Sequence, residues 1–317
     1  MKLDFAYLDE TERLSYMLRE MYMKAGYQRY RMSKFEEYDL YSRNKSFLVS
    51  DEIITFTDTN GKLMALKPDV TLSIIKNTPD GQGLRRLCYN ENVYRVSRGA
   101  RAFREIMQAG LECMGEVDAP CVSEVIGLAI ESLRALGKNC ALEICDLDLL
   151  SAFVEALGLN DALQKQIYLF AAQKNLHEIE ALCVSHGADE KALKKLKALL
   201  SLGGGEPFSM EALFALCTDA ESISRLQALE ALETDLKAKG LYDSVQFDFS
   251  CGGNRNYYNG LIFKGYIQGL SESVLAGGQY DKLMRRMGRS DRAIGFAVYL
   301  DALERLDADG RAGDLSC

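Results

Sequence analysis

Residues 87–96 are apolar and aromatic enough for a strand, residues 103–114 form a second such run, and the short loop 97–102 with Gly99 suits a hairpin connection between them. In the second run successive side chains take opposite faces. Arg104, Gln108 and Glu112 share one face, with Gly110 between them, and Met107, Ala109, Leu111 and Cys113 share the other. One face is therefore a core face and the other a polar floor. Elsewhere the spacing is helical. Leu14, Met17, Leu18 and Met21 predict an amphipathic helix over 9–25, stopped by Gly26. Residues 27–41 are mixed and read as extended. Residues 53–66 place two β-prone runs around Asn60-Gly61, a hairpin signature. Lys67 to Thr71 begin a helix with Pro68 near its first turn, where Asp69 and Thr71 alone are ordinary helix-start residues.

Asp118-Ala119-Pro120 opens a helix with the stripe Val125, Ile126, Ala129, Ile130 and Leu133, closed by Gly137, and a short strand follows over 141–145. From 147 to 240 Leu, Ala, Lys and Glu dominate, and helical spacing prevails. Gly203-Gly204-Gly205 interrupts it. No strand precedes this triplet and no Gly-Lys-Ser/Thr follows, so it reads as a connection rather than a phosphate loop. Strands return over 245–251, 256–267 and 274–276, with Val245, Phe247 and Phe249 on one face. Tyr257 and Tyr258, read as strand neighbours, are expected to face opposite ways. Residues 294–306 pass from a short strand into a helix. The expected fold class is α+β, a mainly antiparallel sheet flanked by helices with a helical insertion. The domain reading is 1–146 with 241–306 as one unit, 147–240 as the insertion and 307–317 as a tail.

The 317 residues are 48% hydrophobic and 26% charged, enough for an ordinary core. The net charge of −8 argues against a general nucleic-acid binder. Six arginines nevertheless lie between Arg85 and Arg104, against the single acid Glu91. Guanidinium groups present forked donors for a carboxylate or phosphate. A polar floor with an arginine at its rim suits a zwitterion, a glutamate taking the ammonium and an arginine the carboxylate. Arg95, Gln108 and Glu112 are assigned to such a site, Arg98 and Arg101 to solvent. Nine cysteines without CxxC pairs and only two histidines, His177 and His186, make a zinc site of ordinary spacing unexpected. No metal and no cofactor are expected. The N-terminus has no apolar leader and no run approaches membrane-spanning length, so the expected location is cytoplasmic with reduced thiols.

Four short motifs carry a resemblance. Tyr94-Arg95, a loop and Gln108-Ala109-Gly110-Leu111-Glu112 are similar to motif 2 of class II aminoacyl-tRNA synthetases in its histidyl version. Lys67-Pro68-Asp69-Val70-Thr71 resembles that family's Arg-Pro-Glu-x-Thr. Asn256-Tyr257-Tyr258-Asn259-Gly260 resembles the end of its Arg-Gly-Leu-Asp-Tyr-Tyr-Thr-Gly. Ala276-Gly277-Gly278-Gln279-Tyr280-Asp281 resembles its Ala-Gly-Gly-Arg-Tyr-Asp. Their order along the whole chain matches the catalytic domain of histidyl-tRNA synthetases. The resemblance implies a histidine pocket made of Asp69, Thr71, Arg95, Gln108, Glu112, Tyr257, Tyr258 and Tyr280. Glu112 and Gln108 would hold the ammonium and Arg95 the carboxylate, with Tyr258 and Tyr280 flanking the imidazole.

The departures from the family bear on activity. The motif 2 glutamate on the adenine side of ATP is replaced by Ser97. The arginine that assists amino-acid activation aligns with Gly253, and the motif 3 arginine with Ala302; Arg305 lies a helical turn beyond. Ser33 stands where motif 1 has proline. The chain runs out near the close of motif 3, where the family continues into an anticodon-binding domain. An amino-acid pocket without ATP machinery resembles the synthetase paralogues that act as regulatory subunits of ATP phosphoribosyltransferase in histidine biosynthesis. That resemblance implies no catalytic residues, a homodimer built through residues 9–41, and assembly with a short catalytic subunit. Histidine is the implied effector, and neither nucleic acid nor membrane is an expected partner. The competing expectation is a truncated synthetase-like enzyme that activates an amino acid with ATP.

Overall fold

The computed structural model describes residues 7–48, 52–81, 83–96, 102–137, 139–203, 208–250 and 255–303. The readings at Ser97, Arg98, Arg101, Gly204-Gly205, Gly253, Arg305 and the tail 307–317 lie outside the described residues. The first helix, α1 (Glu10–Lys24), starts where a capping box forms: Asp9 accepts from the Glu12 amide at 2.7 Å, and Glu12 accepts from the Asp9 amide at 3.2 Å. Its inward stripe Leu14, Leu18 and Tyr22 is buried. The stretch expected to be extended holds two short strands, β1 (Gln28–Arg29) and β2 (Phe35–Glu37), but ends in a helix, α2 (Tyr38–Ser42), that the sequence pattern does not predict. The helical turn buries Tyr41 completely, and that packing overrides the mixed local pattern.

The hairpin β3 (Thr55–Thr57) and β4 (Leu63–Leu66) turns where Asp58 accepts from the Asn60 and Lys62 amides, at 2.8 Å each. Helix α3 (Thr71–Asn77) begins three residues after Pro68, which stands outside it. Asp69, two residues ahead of it, accepts from the Leu72 amide at 2.9 Å. The long hairpin follows as β5 (Arg85–Val96) and β6 (Phe103–Gly115), then α4 (Ala119–Leu136) and β7 (Cys140–Asp146). The helical stretch comprises α5 (Leu147–Glu155), α6 (Asp161–Ala172), α7 (Leu176–Ser185), α8 (Glu190–Ser201), α9 (Met210–Leu216) and α10 (Ala220–Ala238). The last elements are β8 (Val245–Phe247), β9 (Asn259–Ile267), β10 (Leu275–Gln279), α11 (Asp281–Arg286) and β11 (Arg292–Tyr299). A single 3-10 turn, Leu300–Ala302, follows β11 in place of the start of the expected helix.

An eight-stranded sheet runs in the order β1-β5-β6-β11-β10-β9-β7-β8, with β2-β4-β3 as a separate small sheet. The large sheet is antiparallel except at its margins, where β1 with β5 and β7 with β8 are parallel. The α+β architecture is thus the one expected. Alternation sorts the two faces. Cys88, Ala109, Leu111 and Cys113 enter a large apolar cluster with α1, α4 and the helices between 147 and 240. Tyr89, Val93 and Met114 enter a smaller cluster on the opposite face, with Tyr41, Val70, Leu72, Tyr257 and Tyr280. The polar floor opens on that second face.

Candidate functional site

Register decides what meets on the floor. β5 pairs with β6 from Arg85 opposite Met114 to Val96 opposite Phe103, and β11 flanks β6 with Gly295 opposite Glu112 and Tyr299 opposite Gln108. Tyr89 lies opposite Gly110, and a Cβ at Gly110 would come within 2.5 Å of the tyrosine hydroxyl. The glycine between Gln108 and Glu112 therefore makes room for a ring. Gly295 does the same for the acid: a Cβ there would fall 1.8 Å from Glu112 Oε2.

All eight sequence-predicted site residues line one cavity, whose free volume is about 80 Å³. Asp69 and Thr71 come from the start of α3, Arg95 from β5, Gln108 and Glu112 from β6. Tyr257 and Tyr258 come from the segment before β9, and Tyr280 from the end of β10. The tyrosine pair corrects the sequence expectation. It lies ahead of the strand, so strand alternation does not apply, and both rings face the same cavity with centroids 4.5 Å apart. Tyr257 also stands 5.9 Å from the Tyr280 ring and 6.5 Å from that of Phe47. The segment carrying Asp69 and Thr71 is pinned to β5 by Lys67, a buried ammonium paired with Glu91. The Tyr94 amide donates to the Lys67 carbonyl at 2.9 Å, and Arg95 Nε to the Pro68 carbonyl at 3.0 Å.

Glu112 is 2% exposed and has no cation against it among its described contacts. Thr71 Oγ1 donates to one carboxylate oxygen and the Tyr280 hydroxyl to the other, each at 2.7 Å. Burial pushes the Glu112 pKa up to about 8; the two hydroxyls pull it down and Asp69 raises it further. Desolvation also raises Asp69, against the Leu72 amide and Arg95, which lower it. The tyrosine hydroxyls of 257, 258 and 280 are all driven well up by burial. The cavity thus has two carboxylates held above their ordinary range, the Arg95 guanidinium, a buried amide at Gln108, and aromatic walls. A ligand bringing a cation would relieve both acids, and a carboxylate on the same ligand has Arg95 to meet.

Tyr89, Tyr299 and Phe47 also line the cavity and were not singled out from the sequence. Tyr89 had a signal: six residues before Arg95, it shares that residue's strand face. Phe47 had none, because only the return of the chain over the cavity brings it there. Ala302, where the resemblance calls for arginine, packs half-buried against the large cluster. Among the described residues no group of His, Cys, Asp and Glu is arranged to hold a metal ion, and no helix is long and apolar enough to cross a membrane.

The histidyl-tRNA synthetase family model matches residues 5–303. The ATP phosphoribosyltransferase regulatory subunit of Clostridium kluyveri is 31% identical over 309 residues, covering 94% of this chain and 78% of that protein. A solved structure described as an ATP phosphoribosyltransferase regulatory subunit/histidyl-tRNA synthetase from Bacillus halodurans superposes with a TM-score of 0.80 at 25% identity, over 95% of this chain and 83% of that one. An ATP phosphoribosyl transferase complex from Thermotoga maritima contains a chain of the same fold, with a TM-score of 0.71 at 19% identity over 92% of this chain and 97% of that one. With the family model spanning nearly all of the described chain and a relative this similar over most of both lengths, the protein belongs to the histidyl-tRNA synthetase family, among its ATP phosphoribosyltransferase regulatory subunits.

Proposed function

We propose that this chain is a non-catalytic regulatory subunit of ATP phosphoribosyltransferase that takes up histidine in the cavity on β6. The observation that carries the histidine reading is Glu112, a buried acid held by two hydroxyls beside Arg95 and three tyrosines, a setting suited to a zwitterion with an aromatic side chain. In this reading Glu112 and Gln108 receive the ammonium, with Asp69 and Thr71 behind them. Arg95 receives the carboxylate, and Tyr257, Tyr258 and Tyr280 enclose the ring. Serine, glycine and alanine at 97, 253 and 302 offer none of the charged groups a synthetase uses on ATP, which supports a role without adenylate formation. The chain works in the cytoplasm; its described cysteines are free thiols, in keeping with a reducing compartment. It forms a homodimer through α1 and the strands after it, where Tyr16, Met17 and Met23 are exposed, and a short catalytic subunit assembles on that dimer.

Co-expression with a short-form phosphoribosyltransferase tests the assembly. The two chains are expected to co-purify, with transferase activity that depends on this chain and responds to histidine. Failure to co-purify, or activity indifferent to this chain, would overturn the reading. ATP–pyrophosphate exchange with histidine is expected to stay at background, and exchange above it would favour an activating enzyme instead.

A further inference from the structure

A second cavity, of about 540 Å³, lies on the opposite face of the sheet, between the first turn of α4, helix α10 and the ends of β7, β9 and β10. Its volume matches that of a small-molecule site. Two polar side chains that line it, Gln279 and Asp146, are more than nine-tenths buried as residues, and each keeps hydrogen-bonding capacity to spare. Gln279, 8% exposed, accepts from the Leu261 amide through Oε1 at 2.8 Å. That backbone donor fixes which end of the side-chain amide is oxygen. Among the described residues, neither N–H donor of Gln279 meets a hydrogen-bond partner. Asp146, 5% exposed, caps α5 through Oδ1, which accepts from the Asp148 and Leu149 amides at 2.9 Å each. Among the described residues its Oδ2 is ion-paired with Arg225 at 3.7 Å, too long for a hydrogen bond. Asp146 is the β7 partner of Leu261, and Gln279 reaches Leu261 from β10, so the two flank one position of β9.

We propose that this cavity is a second ligand site, for a small molecule bearing an adenine-type edge. Such an edge sets an exocyclic amine, a donor, beside a ring nitrogen, an acceptor. Asp146 Oδ2 takes the amine and the Gln279 amide donates to the ring nitrogen. Leu229 and Leu232 of α10 and Leu261 of β9 supply apolar surface for the flat ring. A ligand that pairs both at once gains two hydrogen bonds, one of them to a charged group. Gln279 precedes Tyr280 in the chain, so the two cavities stand back to back across the end of β10. The inference does not rest on the histidine reading, since none of its residues lines the other cavity.

The test is calorimetry of the full chain with adenosine as the probe, with purine riboside, which lacks the exocyclic amine, as the control. Adenosine is expected to bind at one site per chain and purine riboside at least 10-fold more weakly, because it keeps the ring nitrogen but offers Asp146 no amine. Gln279→Glu keeps the acceptor for the Leu261 amide and removes both donors, and is expected to weaken adenosine at least 10-fold. Ala231→Phe, at an exposed position on the cavity side of α10, fills the space and is expected to abolish binding. Unchanged melting temperatures establish that both variants fold. Absence of adenosine binding at millimolar concentration, equal binding of purine riboside, or folded variants that bind like wild type would overturn the proposal.

Discussion

Replacing Glu112 by glutamine separates what the acid does to the fold from what it does for a ligand. The carboxyl rises from its ordinary 4.5 to about 8, chiefly through desolvation. At about 1.4 kcal/mol per pH unit, that displacement amounts to roughly 5 kcal/mol against the ionised form in the folded chain. Between those two values the folded state holds a proton that the unfolded state has released, so this group's contribution is intact below about pH 4.5 and is lost as pH rises toward 8. Glutamine keeps the shape and does not titrate. Urea denaturation at pH 5 and pH 8 is therefore expected to show wild type losing about 3 kcal/mol more than Glu112→Gln across that interval. The same substitution removes the charge proposed for the histidine ammonium. Losing a hydrogen bond to a charged group costs about 1.5–3 kcal/mol, which predicts histidine binding weakened by about 10-fold or more in calorimetry. Since Glu112 must ionise to meet an ammonium, wild-type affinity should also rise from pH 7 to pH 8, and the variant should lose that slope. A variant that binds like wild type, or matches its pH dependence of stability, would refute the assignment of Glu112 as a buried, ligand-facing acid.

Thr71→Val and Tyr280→Phe each remove one hydroxyl from Glu112, and each is expected to push its pKa higher and weaken histidine about 10-fold, read by the same calorimetry. Gly295→Ala places a methyl on the Glu112 carboxylate and should abolish histidine binding by displacing the acid; a crystal structure of the variant would locate the carboxylate. Lys67→Met leaves Glu91 without its buried cation and is expected to cost about 3–5 kcal/mol in chemical denaturation, since breaking one side of such a pair strands the other charge.

Much of this protein was determined locally. The Asp9–Glu12 capping box, the Asp58–Lys62 turn and the two-residue period of β6 are short-range chemistry, so the sequence alone placed α1, the small hairpin and the polar floor. The motif spacings also named eight residues that share one cavity. Tertiary structure decided the rest. Tyr41 turns residues 38–42 into a helix because its ring is buried by neighbours distant in sequence. Tyr257 and Tyr258 face one cavity because the chain enters β9 only after them, which local alternation cannot reveal. The elevated pKa of Glu112 arises from desolvation by β11 and α3, elements remote along the chain, and Gly295 makes room for it only through the register of β6 with β11. Local pattern sets which side chains share a face; burial, register and charge environment depend on what the rest of the chain lays over that face.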